Sequence, residues 1–263
     1  MEETTFKVDT GKGFNLSATL FLKSIVHSES IVIVCHGLLN TRLSETVRTV
    51  VERIPYHALS FDFQGNGLSE GITAYGNYEE EVENVRCIVS YVREKLERKV
   101  LCICGHSKGA AVVLLYASKY SDVPLIINIS ARYDHTQIPP SRFRPEQLEE
   151  LKTKGSFVWL KLGNQDYVIR QEDMNASLSL DMSVVKNIDK RKIRVLTVHG
   201  SKDEVCPLEG SYTYDLLMGP KPYHSLTVIQ GANHCYNNEK HKTILIDKIT
   251  AWLNEFVPWS SNL

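Results

Sequence analysis

No apolar run in the 263 residues approaches the roughly 18 to 20 that a helix needs to cross a bilayer, so no membrane span is expected. An excess of charge of one sign is missing too. Lys and Arg number 30 and Asp and Glu 31, which leaves no broad field of the kind that draws nucleic acid or anionic lipid. Metal-ligand spacing is absent: the cysteines at 35, 87, 102, 104, 206 and 235 lie in or beside apolar segments, without paired histidines. Neither a metal nor another cofactor is therefore expected, and the thiols are read as reduced and buried rather than as disulfides. Internal repeats and low-complexity stretches are lacking. The opening Met1-Glu-Glu-Thr-Thr-Phe is acidic and has no apolar core of a signal peptide, so a cytoplasmic location is expected.

What is present is material for a sizeable core. Hydrophobic residues make up 43% and charged residues 23%, and the length suits one large α/β domain or two small ones, of which the elbow context below favours one. Residues 4–9 and 14–23, split by Gly11 and Gly13, read as an opening antiparallel hairpin. Ile31-Val-Ile-Val-Cys is a continuous β-branched run of the kind that parallel strands covered on both faces require, and it ends in His36-Gly37-Leu38-Leu39. A helix over 41–53 and a strand over 58–62 follow, then the glycine-punctuated loop Gln64 to Gly71. Residues 78–98 carry apolar side chains at 82, 85, 88, 89, 92 and 96, which is helical spacing. Their acidic start at Glu79, Glu80, Glu81 and Glu83 is read as a solvated first turn that suits the helix dipole.

The stretch from Val100 to Gly109 then joins an apolar strand to Gly105-His-Ser-Lys-Gly109 and to helix-favouring residues 110–119. A serine hydroxyl is a poor nucleophile unless it is held clear of the sheet beside a base and NH donors, and a strand-turn-helix elbow does this. The two glycines are expected to permit the tight turn. After a further strand over 124–130, regular order breaks. Residues 131–190 hold Pro139-Pro140, an amphipathic segment over 145–154 and alternating segments on either side of Gly163-Asn164-Gln165-Asp166, read as a hairpin with a short turn. Regular order returns with strands over 194–199 and 225–229, helices over 208–218 and 241–256, and the loops Gly200 to Pro207 and Gln230 to His234.

Ser107, Asp203 and His234 each follow a strand, in that chain order. With the pieces His36-Gly37, Asp62-x-x-Gly65-x-Gly67-x-Ser69, Gly105-His-Ser-Lys-Gly109, His199-Gly-x-x-Asp203-x-x-x-Pro207 and Gly231-Ala-Asn-His234, the sequence resembles the α/β-hydrolase superfamily. Within it, the chain is similar to the branch of serine-aminopeptidase-like proteins and intracellular cinnamoyl and feruloyl esterases. The resemblance implies a mostly parallel twisted sheet with helices on both faces and a cap inserted between strands 6 and 7. A single domain is expected, with a core of 1–130 and 191–263 and a cap at about 131–190.

By the same resemblance the substrate is a small acyl ester and the enzyme a serine hydrolase. Ser107 is the nucleophile, His234 the base and Asp203 the residue that orients it. The backbone amides of Leu38 and Lys108 form the oxyanion hole. His27, His57, His135, His224 and His241 lack the glycine-loop context of His234. Substrate contacts are expected from Gly37, Leu39, Tyr133, Trp159 and Val205. Phe157, Trp159 and Tyr167 either line a pocket or form the cap's own small core. His36 is read as bracing its loop and the Gly65-x-Gly67-x-Ser69 loop as structural. The Lys108 side chain either leaves for solvent, pairs with a carboxylate, or sets a cation near the pocket that favours acidic substrates. Thioesters, lactones and peptides use the same triad, and a ligand-binding receptor on the same fold is the alternative of a different class.

Overall fold

A computed structural model describes residues 1–24, 29–139, 142–162 and 165–260. His27 and part of the 163–166 turn lie outside the described residues. The opening hairpin pairs β1 (Glu2–Asp9) with β2 (Asn15–Leu22), antiparallel. The next elements are β3 (Ser30–Cys35), α1 (Glu45–Arg53), β4 (His57–Phe61), α2 (Tyr78–Glu94), β5 (Lys99–His106), α3 (Lys108–Tyr120) and β6 (Leu125–Ile129). An insertion then carries α4 (Pro145–Lys154), the hairpin β7 (Ser156–Leu162) with β8 (Gln165–Arg170), α5 (Gln171–Leu178) and a 3-10 helix (Met182–Asn187). The chain closes with β9 (Arg194–Gly200), α6 (Glu209–Met218), β10 (His224–Ile229) and α7 (Glu239–Ser260).

Eight strands form one sheet in the order β1-β2-β4-β3-β5-β6-β9-β10. β2 pairs antiparallel with β4, and every later neighbour is parallel. The uninterrupted apolar strands are explained by this arrangement, since β3, β5, β6 and β9 are covered on both faces. One face packs on α2, α3 and α6, and the other on α1 and α7. Every residue of α3 from Lys108 to Ala117 is buried, as its apolar composition on all sides demands. No helix among the described residues is long and apolar enough to cross a membrane.

The insertion lies between β6 and β9, the sixth and seventh strands of the main sheet, and its hairpin pairs only with itself. Phe143, Leu151, Phe157, Tyr167, Ile169 and Met174 form a small apolar cluster there with Tyr75. The 3-10 helix is different, because Met182 and Val185, with Ile188 just after them, are buried in the main core beside α3 and α6.

Two sequence expectations are corrected. The helix expected from residue 41 begins at Glu45, because Arg42 turns inward to pair with the buried Asp62 and donates its Nε to Thr19 Oγ1. The first turn of α2 is not wholly solvated, because Glu81 is 2% exposed. The glycine loop after β4 is structural, as read. Asp62 accepts from the Arg42 and Leu68 amides at 2.6 and 2.9 Å, and the Ser69 hydroxyl closes the loop on the Asp62 carbonyl at 2.6 Å.

Candidate active site

The three residues picked out by chain order meet at the carboxyl ends of β5, β9 and β10. Ser107 Oγ lies 2.9 Å from His234 Nε2, and His234 Nδ1 lies 2.8 Å from Asp203 Oδ2. The elbow itself is built otherwise than expected. Ser107, not a glycine, takes the positive φ of 56°, a strained conformation for a residue with a side chain. The glycines serve close approach. A Cβ on Gly105 would sit 2.3 Å from the Gly109 carbonyl oxygen, and one on Gly109 would sit 2.3 Å from that of His36. Their absence of side chains lets β5, α3 and the loop after β3 converge beneath the serine. The Ser107 amide is tied to β6 by a 2.9 Å bond to the Ile129 carbonyl.

Asp203 is fixed from several sides. Its Oδ1 accepts from the amides of Val205 and Cys206 at 2.9 and 2.7 Å. Its Oδ2 faces His199 Nε2 at 3.3 Å as well as His234, and its side chain is wholly buried. Burial would push the carboxyl up, but hydrogen bonds from His199 and His234 outweigh it and hold Asp203 well below the usual carboxylate range. An ionised Asp203 keeps the proton of His234 on Nδ1, which leaves Nε2 free to accept from the serine. His199 also lies 3.0 Å from the Cys206 carbonyl. Sequence reading assigned His199 no role, although its four-residue spacing from Asp203 was a usable signal.

Leu38 and Lys108, the residues expected to offer their amides to an oxyanion, both line the cavity that holds Ser107. Lys108 opens α3, so its NH has no intrahelical acceptor, and the Leu38 NH makes no bond to its own loop. His36 braces that loop: its Nδ1 lies 2.7 Å from the Gly37 carbonyl, and its Nε2 accepts from the Phe63 amide at 3.0 Å. His106 Nε2 lies 3.0 Å from the His234 carbonyl and steadies the loop of the base.

A cavity of about 250 Å³ opens over Ser107. Gly37, Leu38, Lys108 and His234 line it near the serine, with Tyr75, Tyr78, Val205 and Cys206 on its walls and Arg132, His135, Arg142 and Ser177 contributed by the insertion. Of the expected substrate contacts, Gly37 and Val205 are therefore at the cavity, and Leu39, Tyr133 and Trp159 are outside its lining. Trp159 packs against Phe143 and Tyr75, with ring centroids 5.0 and 6.0 Å away, so it backs the wall instead of forming it. Leu39, at a positive φ of 53°, packs against the same cluster. Tyr133 packs on Tyr214 and lines a neighbouring groove. Phe157 and Tyr167 are buried in the cluster, at 2% and 4% exposure.

The Lys108 side chain neither reaches solvent nor offers a free charge. Its Nζ lies 2.7 Å from Glu81 Oε1 and 2.5 Å from Asn77 Oδ1, with both ionic side chains at 5% exposure or less. Asp203, Cys206 and His234 bring three possible ligand atoms within 4.8 Å of one another, but the imidazole and carboxylate are already bonded together. All six cysteines are free thiols, and burial pushes Cys206 up to about 12.

His36, His106 and His135 are each pushed down to about 4, chiefly by burial. All three are uncharged in the fold at neutral pH and would take up a proton near 6.5 once unfolded. Between those values the unfolded chain binds more protons, so this stability is complete above about pH 6.5 and declines as the pH falls toward 4. The urea midpoint is expected to drop from about pH 7 to about pH 5, at up to about 1.4 kcal/mol per pH unit for each histidine. A midpoint that stays level over that interval would show that these rings are not held neutral.

An eight-stranded, mostly parallel sheet with a serine elbow, an acid and a histidine at the ends of β5, β9 and β10 is an α/β-hydrolase fold. The chain belongs to the family described as serine aminopeptidase, S33, whose model matches residues 26–241. Among curated proteins, it is 24% identical over 248 residues to the uncharacterized protein YqkD of Bacillus subtilis (strain 168), covering 92% of this chain and 76% of that one. Among solved structures, it is similar to Est1E from Butyrivibrio proteoclasticus with ferulic acid bound, at a TM-score of 0.78 and 20% identity, with 96% and 99% of the two chains covered. It is also similar to the Pyrococcus furiosus esterase Pf2001, at a TM-score of 0.71 and 19% identity, with 97% and 92% covered.

Proposed function

We propose that the protein is a metal-independent serine carboxylesterase acting on small acyl esters. The observation that carries this reading is the continuous chain from Ser107 Oγ to His234 to Asp203, at 2.9 and 2.8 Å, at the floor of a cavity where two amides have no other bond to make. His234 takes the serine proton as Oγ attacks the acyl carbon, and the oxyanion settles on the amides of Leu38 and Lys108. The tetrahedral intermediate collapses as His234 returns the proton to the departing alcohol. Water, deprotonated by the same imidazole, then releases the acid and restores Ser107.

An ester fits the cavity better than a peptide with a free amino terminus. Such a terminus is an ammonium and calls for an acidic partner, yet no Asp or Glu is among the lining residues. The segment 131–190 acts as a cap, since Arg132, His135, Arg142 and Ser177 form one side of the cavity. A fluorophosphonate probe is expected to modify the wild-type protein at Ser107 alone, as read by peptide mass. A folded protein that stays unmodified would overturn the enzyme reading and favour a ligand-binding role.

A further inference from the structure

The cavity over Ser107 holds three cationic side chains and no acidic one. Only one of the three is neutralised. Lys108 is paired with Glu81 and turned into the space between α2 and α3. The other two come from the insertion and have no carboxylate within ion-pair distance among the described residues. Arg132 spends Nε on the Asp134 carbonyl at 2.5 Å and Nη2 on the Gln137 carbonyl, so its orientation is fixed, and the Asp134 carboxylate feels its charge without pairing with it. Arg142 lies over the Trp159 ring, 5.9 Å from the centroid. Beside them His135 is 5% exposed, and its Nε2 has no hydrogen-bond partner, a further polar atom for a bound polar group to satisfy.

Guanidinium groups present planar forks of donors that match a carboxylate, and two of them without a carboxylate partner in one small cavity are a poor lining for a purely apolar acyl group. We infer that Arg132 and Arg142 form a carboxylate-binding subsite, and that the preferred substrates are esters carrying a carboxylate a few bonds from the scissile carbonyl. The cavity volume of about 250 Å³ confines that carboxylate to a short chain or a single ring. The inference rests on the proposed esterase reading and assigns it a substrate class. It also moves the preference for acidic substrates from Lys108, for which it was one of three sequence readings, to two residues of the insertion.

Two matched pairs of esters test it and tell the two possible positions of the carboxylate apart. On the acyl side, 4-nitrophenyl hydrogen glutarate is compared with 4-nitrophenyl 5-methylhexanoate, which has an isopropyl group in place of the carboxylate. On the leaving-group side, 4-acetoxybenzoate is compared with its methyl ester. After subtraction of spontaneous hydrolysis, the wild type is expected to favour the anionic member of one pair by about tenfold or more in kcat/KM. Arg142→Gln and Arg132→Gln are each expected to cut that ratio by roughly 10- to 100-fold, mainly through KM, and Arg142→Lys to keep part of it. Arg132 also holds two loop carbonyls, so Arg142→Gln carries the test if the Arg132 variant does not fold. A ratio near or below one in both pairs, or one untouched in Arg142→Gln, overturns the subsite. Fluorophosphonate labelling of Ser107 separates the failures. Labelling without anionic preference refutes the subsite alone, and neither labelling nor hydrolysis of any of the four esters refutes the esterase reading and the subsite with it.

Discussion

Ser107→Ala is expected to lower ester turnover by roughly 10⁴-fold or more and to leave the melting temperature almost unchanged. The size of the loss follows from the geometry. Oγ is the atom that His234 Nε2 faces at 2.9 Å, and with it gone neither an acyl-enzyme nor the proton transfer that forms it is available. With the proposed oxyanion hole of the Leu38 and Lys108 amides left in place, polarisation of the carbonyl is expected to survive and to accelerate attack by water above the uncatalysed rate. Stability is spared because alanine keeps the Cβ that Ser107 already carries at φ 56°, so the substitution adds no backbone strain. Steady-state rates on 4-nitrophenyl esters, with thermal melts of both proteins, make the comparison. A variant that retains more than about a tenth of the wild-type rate would refute the mechanism, since triad members act as a unit.

Lys108→Met is expected to cost about 3–5 kcal/mol of stability, a large part of the 5–15 kcal/mol typical of a folded domain. Glu81 would be left as a carboxylate at 2% exposure, with Oε2 already lacking a partner. Burial pushes the Glu81 carboxyl up even with Lys108 beside it, so loss of the ammonium drives the acid toward its neutral form. Replacing both members, as Lys108→Met with Glu81→Leu, is expected to recover most of the loss, because two apolar groups of similar volume leave no charge to desolvate. Urea denaturation of the wild type, the two single variants and the double variant gives the coupling directly. A double variant no more stable than Lys108→Met, or a single variant within about 1 kcal/mol of wild type, would contradict a tightly coupled pair. The pair also joins α2 to the first residue of α3, whose amide is one of the two proposed oxyanion donors. The single variant should therefore lose kcat as well as stability.

The fold was legible where local signals are strong. A continuous β-branched run marked β3, short apolar-rich runs marked β5, β6 and β9, and the glycine-flanked serine marked the elbow between a strand and a helix. α5 went unread because only Met174 and Ser177 are buried in it, too few for a clear helical period. Glu81 was misread as a solvated residue of an acidic turn. Its position was visible nonetheless: it falls three and seven residues before Asn84 and Ile88, on the buried stripe with Tyr78, Val85 and Val92. Trp159 was expected at the substrate because it is the large aromatic of the insertion, yet an aromatic in a small cluster finds its partners in Phe143 and Tyr75 first.

By itself the sequence determined the order of strands and helices outside the insertion, the family and the three residues that meet over the sheet. Those features are written in short stretches, because strand ends in a parallel sheet converge on one edge however far apart they lie in the chain. Only the tertiary structure decided what surrounds the serine. The pairing of Lys108 with Glu81, the second histidine beside Asp203 and the two unpaired arginines over the cavity each depend on how separate elements pack. Charges and lone pairs leave no periodic trace of their partners, and it is the packing that determines which are neutralised and which are left to meet a substrate.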